Sequence, residues 1–229
     1  MSIPPIEEFY PKGARMKPFK AFIFDMDNTL LQSRIDFYKM KKSVYELLVS
    51  HHLLPLDLEW SNKTPSQIIE LGRRHQHFPA IEQEVWTLVE EVESEGMEGA
   101  KLEPYTAQLL SGLRGKDKWV SVLTNNALPA AEKALKELSV FHLFDYVAGR
   151  DQMEKLKPSP SGVLHILNRC PTIPKEKWVM VGDSWIDGMA AQQAGISFIA
   201  YQADSDHLAK KGVYPLECIR SLQELEHWS

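Results

Sequence analysis

The sequence predicts a doubly wound α/β fold built on a parallel sheet and interrupted by an inserted helical domain. Three observations carry that reading. Short β-rich runs recur, each followed by turn residues and then a helical pattern: AFIF at 21–24, WVSVL at 119–123, YVAG at 146–149, WVMV at 178–181 and SFIAY at 197–201. The intervening helices are legible, as at 129–138, where Ala131, Ala134, Leu135 and Leu138 share one face. Between Ser33 and Glu103 the alternation stops, leaving helical periodicity and no convincing strand.

In chain order, the first inserted helix presents Met40, Val44, Leu47 and Leu48 on one face. His51 and His52 close it, where cations suit the helix dipole. A second helix starts at the capping box Thr64-Pro65-Ser66-Gln67, with proline at the first helical position. His75 and His77, two residues apart on a helix, point apart and read as surface. A third helix follows Pro79, with Ile81, Val85, Leu88, Val89 and Val92 facing inward and Gly96 ending it as a left-handed cap. The acidic run from Glu90 to Glu95 reads as a solvated helix face. No repeat or low-complexity tract is present. The expected organisation is a core from 1–32 and 104–229 with a helical insert over 33–103.

A chain of 229 residues with 44% hydrophobic and 25% charged residues has enough apolar surface to fold as one large domain, or as a core plus a small insert. Its formal net charge of −5, without a long Lys/Arg-rich segment, argues against nucleic acid as a partner. Cys170 and Cys218 form no CxxC pair, which argues against a thiolate zinc site or a disulfide framework and fits a reducing cytoplasm. The N-terminal MSIPPIEEFYPKGARMKPFK places prolines and charges where a signal peptide needs an unbroken apolar stretch. Runs such as 21–24 and 178–181 are far shorter than the roughly 18 residues that span a bilayer. A soluble protein with no membrane partner is expected.

Four polar clusters directly follow predicted strands, and open α/β sheets bind ligands beyond the carboxyl ends of their strands. The first, Asp25-Met26-Asp27-Asn28-Thr29, puts two carboxylates on the same side of the chain as it leaves AFIF. One can attack phosphorus to form an acyl phosphate that water then hydrolyses, and Asp27 suits the proton transfers. A calcium loop is excluded, because its required glycine is Leu30 and its twelfth position is Asp36. The second, Thr124-Asn125-Asn126, offers a hydroxyl and turn amides for phosphate oxygens. The third, Lys157-Pro158-Ser159-Pro160, stiffens the backbone behind a lysine that neutralises nucleophile and phosphate, although Lys155 fits the same argument. The fourth, Gly182-Asp183-Ser184-Trp185-Ile186-Asp187, adds two carboxylates; Asp183 reads equally as a helix cap or as a ligand for hard magnesium, with Asp187 in or just outside the coordination sphere.

In this order and each after a strand, the four clusters resemble the four motifs of the haloacid dehalogenase superfamily across roughly 19–200. The resemblance implies Asp25 as nucleophile, Asp27 as acid and base, Thr124 binding the phosphoryl group and Lys157 stabilising charge; Asn125, beside Thr124, is a further candidate to bind substrate. It implies magnesium held by Asp25, Asp183 and the carbonyl of Asp27, and a helical cap for 33–103, a layout similar to the phosphoglycolate phosphatase and β-phosphoglucomutase branch. The family's dehalogenases and phosphonatases lack the acid/base aspartate, so Asp27 points to phosphoryl chemistry. The expectation is a magnesium-dependent phosphatase acting on a small phosphorylated metabolite. A phosphomutase and a phosphoacceptor module without turnover are the alternatives. A second anion on the substrate would need a cation from the cap, and Arg34, Arg73 and Arg74 are the available guanidinium groups, with Arg73 or Arg74 preferred. The oligomeric state is not legible.

Overall fold

The computed structural model describes residues 18–229, so the N-terminal stretch read against a signal peptide lies almost wholly outside them. The first half of the described chain runs β1 (Ala21–Phe24), β2 (Leu31–Gln32), α1 (Phe37–Ser50), α2 (Pro65–Gly72), α3 (Glu82–Met97), β3 (Lys101–Leu102), α4 (Thr106–Gly115), β4 (Trp119–Leu123) and α5 (Leu128–Glu137). It continues through β5 (Tyr146–Ala148), α6 (Ser161–Leu167), β6 (Trp178–Gly182), α7 (Trp185–Ala194), β7 (Ser197–Tyr201), α8 (Ser205–Lys210) and β8 (Glu217–Ile219). Six strands form one parallel sheet in the order β5-β4-β1-β6-β7-β8. Because strand side chains alternate, β1 sends Phe22 and Phe24 to one face, with Leu109, Leu113 and Leu135, and Ala21 and Ile23 to the other, with Val163, Ile166 and Ala190. Full burial of each large side chain is worth about 1.5–3 kcal/mol. β1 thus lies sealed at the sheet centre, and its carboxyl end delivers Asp25 to the crevice where strand order reverses.

Helices α1, α2 and α3 share a separate hydrophobic cluster that includes Met40, Val44, Leu48, Ile68, Ile69, Val85, Val89 and Val92. The capping box at Thr64 forms: its side chain accepts from Gln67 N at 3.2 Å, and Gln67 Oε1 accepts from Thr64 N at 3.0 Å. Four expectations for 33–103 need correction. Lys101–Leu102 is extended and pairs antiparallel with Leu31–Gln32, tying the two connections together; two residues are too few to show a strand period. Gly96 lies inside α3, not at a left-handed cap. A Cβ there would stand 2.4 Å from Ile35 Cα, so the glycine permits close packing, and the left-handed glycine is Gly99 with φ 68°. Glu93, in the middle of the acidic run, is 2% exposed. His75 and His77 lie in the turns after α2, with ring centroids 5.4 Å apart and no helical geometry to separate them.

Candidate active site

The chain turns back on itself immediately after β1. Asn28 adopts φ 56°, a left-handed conformation that asparagine tolerates, and its N–H donates to Leu31 O at 2.7 Å. The loop holds Asp25 and Asp27 side by side, each 7% exposed, at one end of a cavity of about 370 Å³. Thr124, Asn125, Lys157, Asp183 and Asp187 line the same cavity, so the core candidates from all four clusters meet in one place. Opposite them stand Tyr38, Met40, Trp86, Val89 and Glu93 from the helical segment, with Lys41 and Lys63.

Lys157 is the electrostatic centre. It is 2% exposed, and its three N–H donors are matched to Asp25 Oδ1 at 2.5 Å, Asp187 Oδ1 at 2.7 Å and the carbonyl of Leu123 at 3.0 Å. Burial disfavours its charge, but Asp187 and Asp25 outweigh burial and hold it firmly protonated. Lys155, the alternative, is exposed and does not line this cavity. Asp187 is wholly buried, and its other oxygen accepts from Ser184 N at 3.1 Å. Gly182 makes this possible, since a Cβ there would meet the Asp187 carboxyl group at 2.6 Å. The N-cap position is therefore Ser184, whose N–H donates to Asp187 Oδ2, and Asp183 is left to line the cavity.

Asp25 is pushed well above the ordinary carboxylate range, first by burial and next by the Asp187 charge, with Lys157 pulling the other way. Asp183 is raised to about 7 by burial and then by Asp187. Burial also raises Asp27, opposed first by the Ser33 hydroxyl and next by Asn126, whose Nδ2 donates to Asp27 Oδ2 at 2.8 Å. The other Asp27 oxygen, Oδ1, is buried and among the described residues lies within hydrogen-bonding geometry of no partner. Asn126 is the residue the sequence reading did not promote; its place in the Thr124-Asn125-Asn126 cluster was the available signal. Asn125 lines the cavity as well. Its side chain is committed to the Lys157 backbone, accepting from Lys157 N at 2.9 Å and donating to Lys157 O at 3.2 Å, so it holds the lysine loop.

Carboxylate oxygens of Asp25, Asp183 and Asp187 lie within 4.8 Å of one another. With Asp27 alongside, four carboxylates surround a single buried lysine. The donor set fits a hard divalent cation, which prefers oxygen ligands and would relieve the surplus negative charge. The three arginines of the helical segment do not line this cavity. Arg73 is paired to Glu70 at 3.2 Å and Glu82 at 2.9 Å and lies over the Trp86 and Phe78 rings. Arg74 borders a neighbouring groove with Arg73, and Arg34 is exposed away from the cavity.

Residues 22–201 match the family model described as haloacid dehalogenase-like hydrolase. The chain belongs to that family. It is 25% identical over 218 residues to a haloacid dehalogenase-like hydrolase domain-containing protein of Arabidopsis thaliana, covering 91% of this chain and 82% of that one. To a phosphoglycolate phosphatase of Rhodobacter capsulatus it is 26% identical over 190 residues, covering 79% and 83%. Among solved structures, a HAD hydrolase of Bacillus subtilis bound to magnesium superposes with a TM-score of 0.59 at 20% identity, over 92% of this chain and 98% of that one. At that identity the likeness speaks for the fold. Among the described residues no helix is long and apolar enough to cross a membrane.

Proposed function

We propose that this hydrolase is a magnesium-dependent phosphatase of small phosphomonoesters that works through an aspartyl phosphate on Asp25. The observation that carries the reading is the pairing at the carboxyl end of β1: Asp25 anchored by Lys157, and beside it Asp27, which lines the same cavity and has one oxygen held by Asn126. An Asp25 oxygen attacks phosphorus and the ester P–O bond breaks, while Asp27, protonated, gives its proton to the departing alkoxide. Asp27 then takes a proton from water, whose oxygen attacks the same phosphorus and releases Asp25 and inorganic phosphate. The Thr124 hydroxyl and Lys157 stabilise charge on the phosphoryl group. Asp25 and Asp183, with Asp187 and the carbonyl of Asp27, would hold magnesium, which when bound supplies charge neutralisation for the phosphoryl oxygens. The 33–103 segment acts as a cap over the cavity, excluding water and limiting the leaving group to a compact metabolite.

The magnesium-bound Bacillus structure and the phosphatase relative support this reading. Turnover of p-nitrophenyl phosphate tests it: activity should require magnesium and stop on chelation, and a panel of small phosphomonoesters should then rank substrates. Asp183→Ala should raise the magnesium concentration needed for half-maximal rate by about tenfold or more, with little change in thermal stability. Unaltered magnesium dependence would remove Asp183 from the metal set.

A further inference from the structure

The ion contacts between Arg150 and helix α3 serve no step described above. Arg150 opens the short turn Arg150–Gln152 after β5, and its side chain is 5% exposed. Nη1 donates to both carboxylate oxygens of Glu93 at 2.9 Å, and Nη2 donates to Glu90 Oε1 at 2.8 Å. The guanidinium carbon lies 4.7 Å from the centroid of the Trp86 ring. Among the described residues these are the only ion pairs joining 33–103 to the remainder of the chain. Trp86, Val89 and Glu93 follow helical spacing and form the α3 wall of the cavity, so a clamp on Glu93 and Trp86 sets the whole wall.

The other end of Arg150 faces the chemistry. Its backbone N–H donates to the carbonyl of Asn126 at 2.9 Å, and Asn126 Nδ2 holds Asp27. A single residue therefore grips α3 with its side chain and, with its backbone, the loop that orients the acid/base carboxylate. The rigid fork of a guanidinium suits this task, since it bonds two carboxylates and stacks on an indole at once. We propose that Arg150 is a positioning residue, docking the helical segment through Glu93, Glu90 and Trp86 and thereby setting the Asn126 loop that aligns Asp27. The proposal rests on the phosphatase reading.

Its test is steady-state kinetics of the full chain carrying Arg150→Met or Arg150→Lys, with p-nitrophenyl phosphate and magnesium, alongside amide hydrogen exchange. Misalignment without loss of the phosphoryl-binding groups should lower kcat by about 30-fold in Arg150→Met, with KM moving by less than about threefold. Arg150→Lys, which keeps one charged contact, should regain about fivefold of that loss. Exchange in Arg150→Met should quicken both in Glu82–Met97 and in the loop 124–127. A kcat per folded molecule within about threefold of wild type overturns the proposal, as does faster exchange confined to α3. Should Arg150→Met fail to fold, Glu93→Gln must show the same loss in kcat and not in KM, or the proposal falls. Wild-type protein that turns over no phosphomonoester defeats the phosphatase reading instead, and the exchange pattern alone then decides whether Arg150 links α3 to the loop.

Discussion

Among the described residues two cations are buried against carboxylates, and the two clusters differ in their balance of charge. Lys157 gathers Asp25, just after a strand, and Asp187, in the first turn of a helix, all within the α/β core, and leaves Asp27 and Asp183 nearby without a cation of their own among the described residues. Arg150 gathers Glu93 and Glu90 from a helix of the insert, with Glu90 half in solvent, so its charges are nearly balanced. Balanced buried pairs specify an arrangement while adding little net stability. An unbalanced cluster is unstable as it stands and is suited to binding a cation and a reacting group. The difference fits the proposed division between a reacting cluster and a positioning one, although both look like charge runs or loop residues in the sequence.

The largest expected effect belongs to the lysine cluster. Asp25→Asn should reduce turnover by on the order of 10⁴-fold or more while leaving circular dichroism and thermal melting near wild type, because an amide cannot serve as the nucleophile. Substantial residual activity in a folded variant would remove Asp25 from that role. Asp27→Asn should slow both half-reactions by roughly 10²–10⁴-fold, so that phosphoenzyme trapped by rapid quench decays more slowly. Unchanged decay would assign the proton transfers elsewhere.

The arginine cluster should respond in stability and its pH dependence. Burial raises Glu93 from an ordinary 4.5 to about 7, with Arg150 opposing. A carboxyl whose folded value lies above its unfolded value contributes stability that is full below about pH 4.5 and is lost as pH rises toward 7. Urea titrations should therefore show wild type losing on the order of 3 kcal/mol relative to Glu93→Gln across that window. A flat difference would mean that pairing with Arg150 cancels the cost of burial. The smallest effect should come from Arg73→Ala: its partners are partly exposed and it stands outside the cavity. Kinetic constants for carboxylated and uncharged phosphoesters should agree with wild type within about twofold. A selective rise in KM for the carboxylated substrate would restore the arginine as a reader of substrate.

Local chemistry decided a great deal in the sequence itself. Apolar runs, turn residues and helical spacing identified five of the six sheet strands, and placing Asp25, Thr124, Lys157 and Asp183 after strands was enough to predict a shared crevice, because strand ends in an open sheet converge by construction. The capping box at Thr64 was equally legible, being an interaction among near neighbours. What only the tertiary structure decided are the contacts between residues far apart in the chain. Asn125 spends its amide on the Lys157 backbone, Asn126 holds Asp27, Glu93 leaves the solvated face to meet Arg150, and Arg73 pairs with Glu82. Side-chain spacing along one element says which residues share a face. It carries no information on what another element, dozens of residues away, presents to that face, and burial and pairing of charge depend on that partner alone.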